Sequence, residues 1–149
     1  MHSDLKIIKT EYWNISHRND SRYLGYLIIS ALENVSDISE LSPDALSELG
    51  LMLAETEKLL INLYSPFKVI ISKLGFSKGF NCHFHMIPIS EQILQEIARH
   101  PNYCQEPDGI DTMLFICREY CERPLNKEED QNIKQEVKKL RKQYINMMK

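Results

Sequence analysis

Residues Asn81-Cys82-His83-Phe84-His85-Met86-Ile87-Pro88 constrain this chain more than any other stretch. Apolar and polar residues alternate along it, which is the period of a strand half buried in a sheet. Successive strand side chains point to opposite faces. Cys82, Phe84 and Met86 therefore share a face suited to a core. Asn81, His83 and His85 share the other, where two of the chain's five histidines stand in a row. An imidazole pair on one strand face suits nucleophilic, acid–base or metal chemistry. A half-buried strand also carries a histidine for packing alone. The metal alternative needs further ligands. Cys82 points away, and no other histidine or paired carboxylate stands at a matching spacing, so the expected metal count is none.

The rest of the chain sets the frame for that strand. A length of 149 residues fits one domain with a sizeable core, expected over 1–149 with a core at about 5–90 and a helical extension at about 91–149. The net charge of −3 argues against general nucleic-acid binding. No apolar run approaches the roughly 20 residues of a membrane span. The first residues, Met1 to Lys6, hold no apolar leader segment. The four cysteines, at 82, 104, 117 and 121, form no C-x-x-C pair and read as reduced thiols. A cytoplasmic location without membrane contact is the expectation that follows.

Patterning predicts one or two strands within Leu5–Ile15, a polar turn over His17–Ser21 and a strand at Tyr23–Ser30. Ser42-Pro43-Asp44 reads as a helix start, with a capping serine, proline at the first helical position and an acid in the first turn. Leu46, Leu49, Leu53, Leu60 and Leu63 then keep helical spacing to about Tyr64. Strands are expected at Lys68–Leu74 and Phe80–Ile89, joined by a glycine-bearing loop. After Ser90 the chain reads as helical. One helix ends before Pro101. A second segment, capped by Asp111, runs to Arg123, although Met113–Cys117 alone also fits a strand. A last helix starts at Asn126 with Glu129 in a capping box. Ile133, Val137, Leu140, Tyr144 and Met147 form its apolar stripe. The expected fold class is α+β, a single antiparallel sheet with a long packed helix and a helical C-terminal extension.

The strand 81–88, with the helix, strand and loop before it, resembles the histidine triad (HIT) family. That family carries His-φ-His-φ-His-φ-φ, commonly followed by proline. Gly25-Tyr26-Leu27-Ile28-Ile29 is similar to the family's Gly-x-Leu-φ-φ strand. Ile38-Ser39-Glu40-Leu41-Ser42-Pro43 is similar to its approach to the long helix. The resemblance covers about residues 20 to 90 and implies a nucleotide hydrolase or nucleotidyl transferase. In it His83 attacks the nucleotide α-phosphorus and forms a covalent nucleotidyl-histidine, while His85 contacts phosphate or leaving-group oxygens. It implies nucleotide phosphoesters, phosphoramidates or dinucleoside polyphosphates as substrates, a homodimer, and no cofactor. Two departures stand out. Asn81 occupies the first triad position, and an amide cannot pass a proton near pH 7. No histidine occurs in Ala31–Val35, where many members have one after the early strand. A catalytically weak or inactive nucleotide-binding protein is the alternative.

The same resemblance marks Ser72, Ser77, Lys78 and Gly79 as nucleotide-binding residues, Ser72 as the best match to a polar contact beside ribose or phosphate. Taken singly, a loop lysine is usually solvated and a loop glycine often serves a turn. Tyr12, Trp13 and Tyr26 suit a base pocket or, more often, a core. His17 is expected at the surface. His100 is expected at a helix C-terminus, and Cys117 and Cys121 in packing. Residues 131–149 carry six Lys/Arg against one acid, Glu136, a pattern of a solvated helix face.

Overall fold

The computed structural model describes residues 3–149. Met1 and His2, the start of the segment read as holding no leader, lie outside the described residues. Five strands form one antiparallel sheet: β1 (Lys6–Lys9), β2 (Trp13–His17), β3 (Leu27–Ala31), β4 (Lys68–Ser72) and β5 (His83–Ile89), in the order β1-β2-β3-β5-β4. Four α-helices accompany it: α1 (Pro43–Tyr64), α2 (Glu91–Arg99), α3 (Gly109–Tyr120) and α4 (Lys127–Met147). The fold is the expected α+β arrangement. Among the described residues no helix is long and apolar enough to cross a membrane.

The back face of the sheet carries Trp13, Ile15, Leu27, Ile29, Phe84 and Met86, which pack on Ala45, Met52, Leu59 and Leu60 of α1. The α1 start forms as its sequence dictates. The Ser42 hydroxyl accepts the Ala45 amide and Pro43 occupies the first turn. The Trp13 indole donates to the Ala45 carbonyl at 3.0 Å, which satisfies the one polar atom of a fully buried ring. Leu140 of α4 joins this core, so the last helix packs back on the same layer.

The front face is divided. Tyr26, Ile28, Ile70, Ile87 and Ile89 lie under Ile93 and Ile97 of α2 and Phe115 and Ile116 of α3. Beyond them the face is uncovered. There the register places Asn14, Ser30 and His83 side by side across β2, β3 and β5; at the border with the covered part, Ile28, His85 and Ser72 stand side by side across β3, β5 and β4.

Several boundaries differ from the sequence reading. The third strand begins at Leu27 rather than Tyr23, because Gly25 takes a left-handed φ of 88°. A Cβ there would meet Tyr64 at 2.7 Å and Pro88 at 2.9 Å, so the close approach as well as the φ requires glycine. The strand predicted to Leu74 ends at Ser72, and β5 starts at His83 rather than Phe80. Residues 109–120 are helical throughout. Their N-cap is Asp108, and Asp111 returns the hydrogen bond from the third helical position.

His17 is the clearest correction. It ends β2 at 2% exposure instead of standing on the surface. Its Nδ1 donates to the Arg18 carbonyl and its Nε2 accepts the Gly25 amide. Burial lowers its pKa to about 4, so it is a neutral brace for the turn into β3.

Candidate functional site

His83 and His85 project from β5 with ring centroids 5.2 Å apart. Their hydrogen bonds give them opposite roles. The Nδ1 of His83 lies 2.8 Å from the Asn81 carbonyl oxygen. A carbonyl only accepts, so Nδ1 carries the proton and Nε2 keeps its lone pair. The Nδ1 of His85 lies 2.6 Å from the Tyr26 hydroxyl. That phenol oxygen also receives a hydrogen bond from the Arg18 guanidinium at 3.0 Å, which leaves its own proton free to donate. Burial pushes the Tyr26 pKa up, so the hydroxyl stays protonated. Its two acceptors are His85 Nδ1 at 2.6 Å and the Cys117 sulfur at 3.7 Å; the imidazole nitrogen is the nearer and the stronger acceptor, which assigns the Tyr26 proton to it and the His85 proton to Nε2.

Burial, then the neighbouring His83 and Arg18 charges, lower the His85 pKa to about 4. His85 is neutral at pH 7 and presents an N–H. One strand thus offers a nucleophilic nitrogen and a hydrogen-bond donor within a few ångströms. The donor's orientation is secured in depth. Arg18 is held by Asp20 at 2.6 Å and lies over the Tyr26 ring, and the Cys117 thiol stands 3.7 Å from the Tyr26 oxygen.

Asn81 contributes its backbone to His83 and its side chain to the scaffold. Its Nδ2 donates to the Ala31 carbonyl at 3.0 Å. Two backbone bonds tie down the neighbouring residue: the Cys82 amide donates to Val35, and the Cys82 carbonyl accepts from Ala31. The start of β5 is fixed against the end of β3, and with it the carbonyl that sets the His83 tautomer.

Ser72 stands opposite His85 in register, and its Oγ is buried without a hydrogen-bond partner among the described residues. Ser77, Lys78 and Gly79 lie on the exposed β4–β5 loop. Gly79 there has a φ of 92°, which favours glycine. The same loop brings the Phe80 ring to 5.9 Å from His83 and leaves Phe76 98% exposed. Of the aromatic candidates, Trp13 is on the opposite face of the sheet, in the core. Tyr12 is half-buried against the same core, its hydroxyl bonded to Asp44.

A cleft of about 500 Å³ opens over β2 and β3; it reaches Ser30, the register partner of His83, and neither His83 nor His85 lines it. It is lined by Asn14, Ser16, Arg18, Ser30, Phe80 and Asn81, among others. This volume is in the range of small-molecule sites. Asn14 is 7% exposed and its Oδ1 has no partner among the described residues. Such an orphaned acceptor costs about 1–3 kcal/mol, which marks the open half of the sheet as a place where stability is given up.

Sequence reasoning missed the Tyr26–Arg18–Asp20 support and the polar cleft. Tyr26 was legible in part, since counting back by twos from Ser30 through Ile28 puts it on the histidine face. Arg18 and Asp20 reach it only through the fold of a turn.

No protein-family model matches the chain, and no curated protein matches its sequence. Solved structures do match its fold. The C. elegans NitFhit protein superposes with a TM-score of 0.64 at 12% identity, over 96% of this chain and 28% of that one. Plasmodium falciparum diadenosine triphosphate hydrolase gives 0.64 at 14% identity, over 99% and 80%. A hypothetical histidine triad nucleotide-binding protein from Sulfolobus tokodaii gives 0.63 at 13% identity, over 96% and 85%.

Proposed function

From a chain with the histidine-triad fold, we propose a nucleotide hydrolase or nucleotidyl transferase that works through His83. The observation that carries this reading is the contrast between two hydrogen bonds on β5, His83 Nδ1 to a carbonyl oxygen and His85 Nδ1 to a phenol, which assigns the two rings opposed tautomers. The lone pair of His83 Nε2 forms a bond to the α-phosphorus, and the P–O or P–N bond to the leaving group breaks with its electron pair. The positive charge on the resulting nucleotidyl-histidine is shared with Nδ1–H, which the Asn81 carbonyl holds. Water then attacks phosphorus and gives up a proton to solvent, the N–P bond breaks, and its electron pair returns to Nε2. Throughout, His85 Nε2–H stabilises charge on the phosphoryl or leaving-group oxygens. This chemistry needs no metal from the protein.

Several finer features belong to the same reading. Ser72 contacts phosphate or ribose from beside His85, and Ser77, Lys78 and Gly79 close over the nucleotide from the β4–β5 loop. The chain acts as one domain over 1–149, supported by Leu140 in the sheet's core. Two copies form a homodimer in the cytoplasm. The free edge strand β4 and the exposed Phe67 and Ile71 support that pairing. Asn81 cannot transfer a proton, so the substrates favoured are those whose leaving group departs without acid help, dinucleoside polyphosphates ahead of phosphoramidates.

The test is a panel of dinucleoside polyphosphates, adenosine phosphoramidate and nucleotide sugars, with turnover and intact mass recorded. A nucleotidyl adduct that disappears in His83→Ala is expected. Nucleotide affinity with no adduct and no turnover would establish the alternative, a binding protein without catalysis. Turnover that survives His83→Ala would remove His83 as the nucleophile.

A further inference from the structure

We infer that Arg18 is a positioning residue for the proposed reaction, fixing the His85 proton on Nε2 by acting through Tyr26. This rests on the reading of His85 as a donor to phosphoryl or leaving-group oxygens. Arg18 follows β2, and its side chain is only 15% exposed. One edge of the guanidinium meets Asp20, with Nε 2.6 Å and Nη2 3.5 Å from the carboxylate oxygens. The other nitrogen, Nη1, reaches the Tyr26 oxygen at 3.0 Å and the Cys117 sulfur at 4.0 Å. A brace for the turn needs only the Asp20 bond. That turn is already closed without Nη1, because the Arg18 amide donates to the Tyr26 carbonyl at 2.8 Å and His17 Nε2 accepts the Gly25 amide. The contact with the phenol is left over, and it points to the histidine.

A phenol oxygen has one proton and two lone pairs. Two arrangements satisfy it here. In one it donates to His85 Nδ1 and accepts from Arg18. In the other it accepts from both Arg18 and a protonated His85 Nδ1, and donates to the Cys117 sulfur at 3.7 Å. The Arg18 charge separates the two. An oxygen that accepts from a cation becomes a stronger donor and a poorer second acceptor, so the first arrangement gains. Burial, then the His83 and Arg18 charges, also keep His85 from taking a second proton. Among the described residues His85 Nε2 bonds no protein group, so a proton placed there is free for a ligand oxygen.

Histidine ¹⁵N spectra of the whole protein at pH 7 test this without substrate. The wild type is expected to show His85 with a bare Nδ1 and a protonated Nε2. Arg18→Met keeps a long side chain over the Tyr26 ring and loses the charge. In it the two His85 nitrogen signals are expected to move toward each other, as both tautomers become populated, while those of His83 stay in place. Arg18→Lys, which restores a cationic donor, is expected to return them most of the way. Arg18→Gln takes the place of Arg18→Met if that variant does not fold. A pure wild-type pattern in the neutral variant overturns the inference, as does a protonated His85 Nδ1 in the wild type. With diadenosine triphosphate as substrate, Arg18→Met is expected to lower kcat on the order of fivefold with KM nearly unchanged, within one hydrogen bond's worth. In a Tyr26→Phe background it is expected to lower kcat no further. Losses that add overturn the inference, because Arg18 then acts by another route. A tautomer shift in a protein that turns over no substrate would leave the proton placement standing and remove only the catalytic reading.

Discussion

The two halves of the sheet's front face are built from the same strands and have opposite fates. Under α2 and α3, Tyr26, Ile87 and Ile89 meet Phe115 and Ile97 in a closed apolar layer. A few residues away, Ser30 and Asn14 line an open cleft next to His83, the register partner of Ser30, and Asn14 Oδ1 and Ser72 Oγ lack partners among the described residues. The covered half gains from burial and the uncovered half does not. Tyr26 joins them: its ring belongs to the closed layer and its hydroxyl reaches His85. Packing in one half therefore sets the protonation pattern in the other.

That division can be broken one residue at a time. The largest effect is expected in the open half. His83→Ala should lower turnover on the best substrate on the order of 10⁵-fold, as loss of a nucleophile does, with little change in melting temperature. A residual rate near wild type would contradict the assignment. In the covered half, Phe115→Ala should cost about 3–5 kcal/mol of stability by denaturant titration. A cost below 1 kcal/mol would mean that α3 does not close the layer.

Acid should act across both halves. Burial lowers the pKa values of His17 and His85 from 6.5 to about 4. The unfolded chain takes up these protons near pH 6.5, while the fold resists them until near pH 4. Their stabilisation is present above pH 6.5 and lost as pH falls from 6.5 to 4, at no more than about 1.4 kcal/mol per pH unit for each histidine. Denaturant titrations across pH 4–8 check this, and a flat profile would contradict it. Tyr26→Phe removes the donor to His85 and keeps the ring. It should reduce kcat on the order of tenfold with KM nearly unchanged, the worth of one hydrogen bond. Smallest of all, Ser30→Ala should shift stability by less than about 0.5 kcal/mol, because its side chain faces the cleft.

What the sequence disclosed follows the range of the forces involved. The α1 start was legible because Ser42, Pro43 and Asp44 act within one turn. β5 was legible because alternation survives wherever one face is buried. The segment Met113–Cys117 was ambiguous because a short apolar run fits both periods, and the Asp108–Asp111 cap decides for helix. His17 was misread because its burial depends on the Gly25 amide, eight residues away, and on strand pairing with β3. For the site, the histidine row was visible in one strand. Its support was not, since Arg18, Asp20 and Tyr26 meet His85 only when the β2–β3 turn folds onto the sheet.

The central claim is that two histidines on one strand hold opposite tautomers, set by Asn81 and Tyr26. Long-range ¹H–¹⁵N correlation spectra of the ¹⁵N-histidine-labelled protein at pH 7 test it directly. The account predicts a protonated Nδ1 and bare Nε2 for His83, and a bare Nδ1 and protonated Nε2 for His85. The same tautomer at both positions would contradict it.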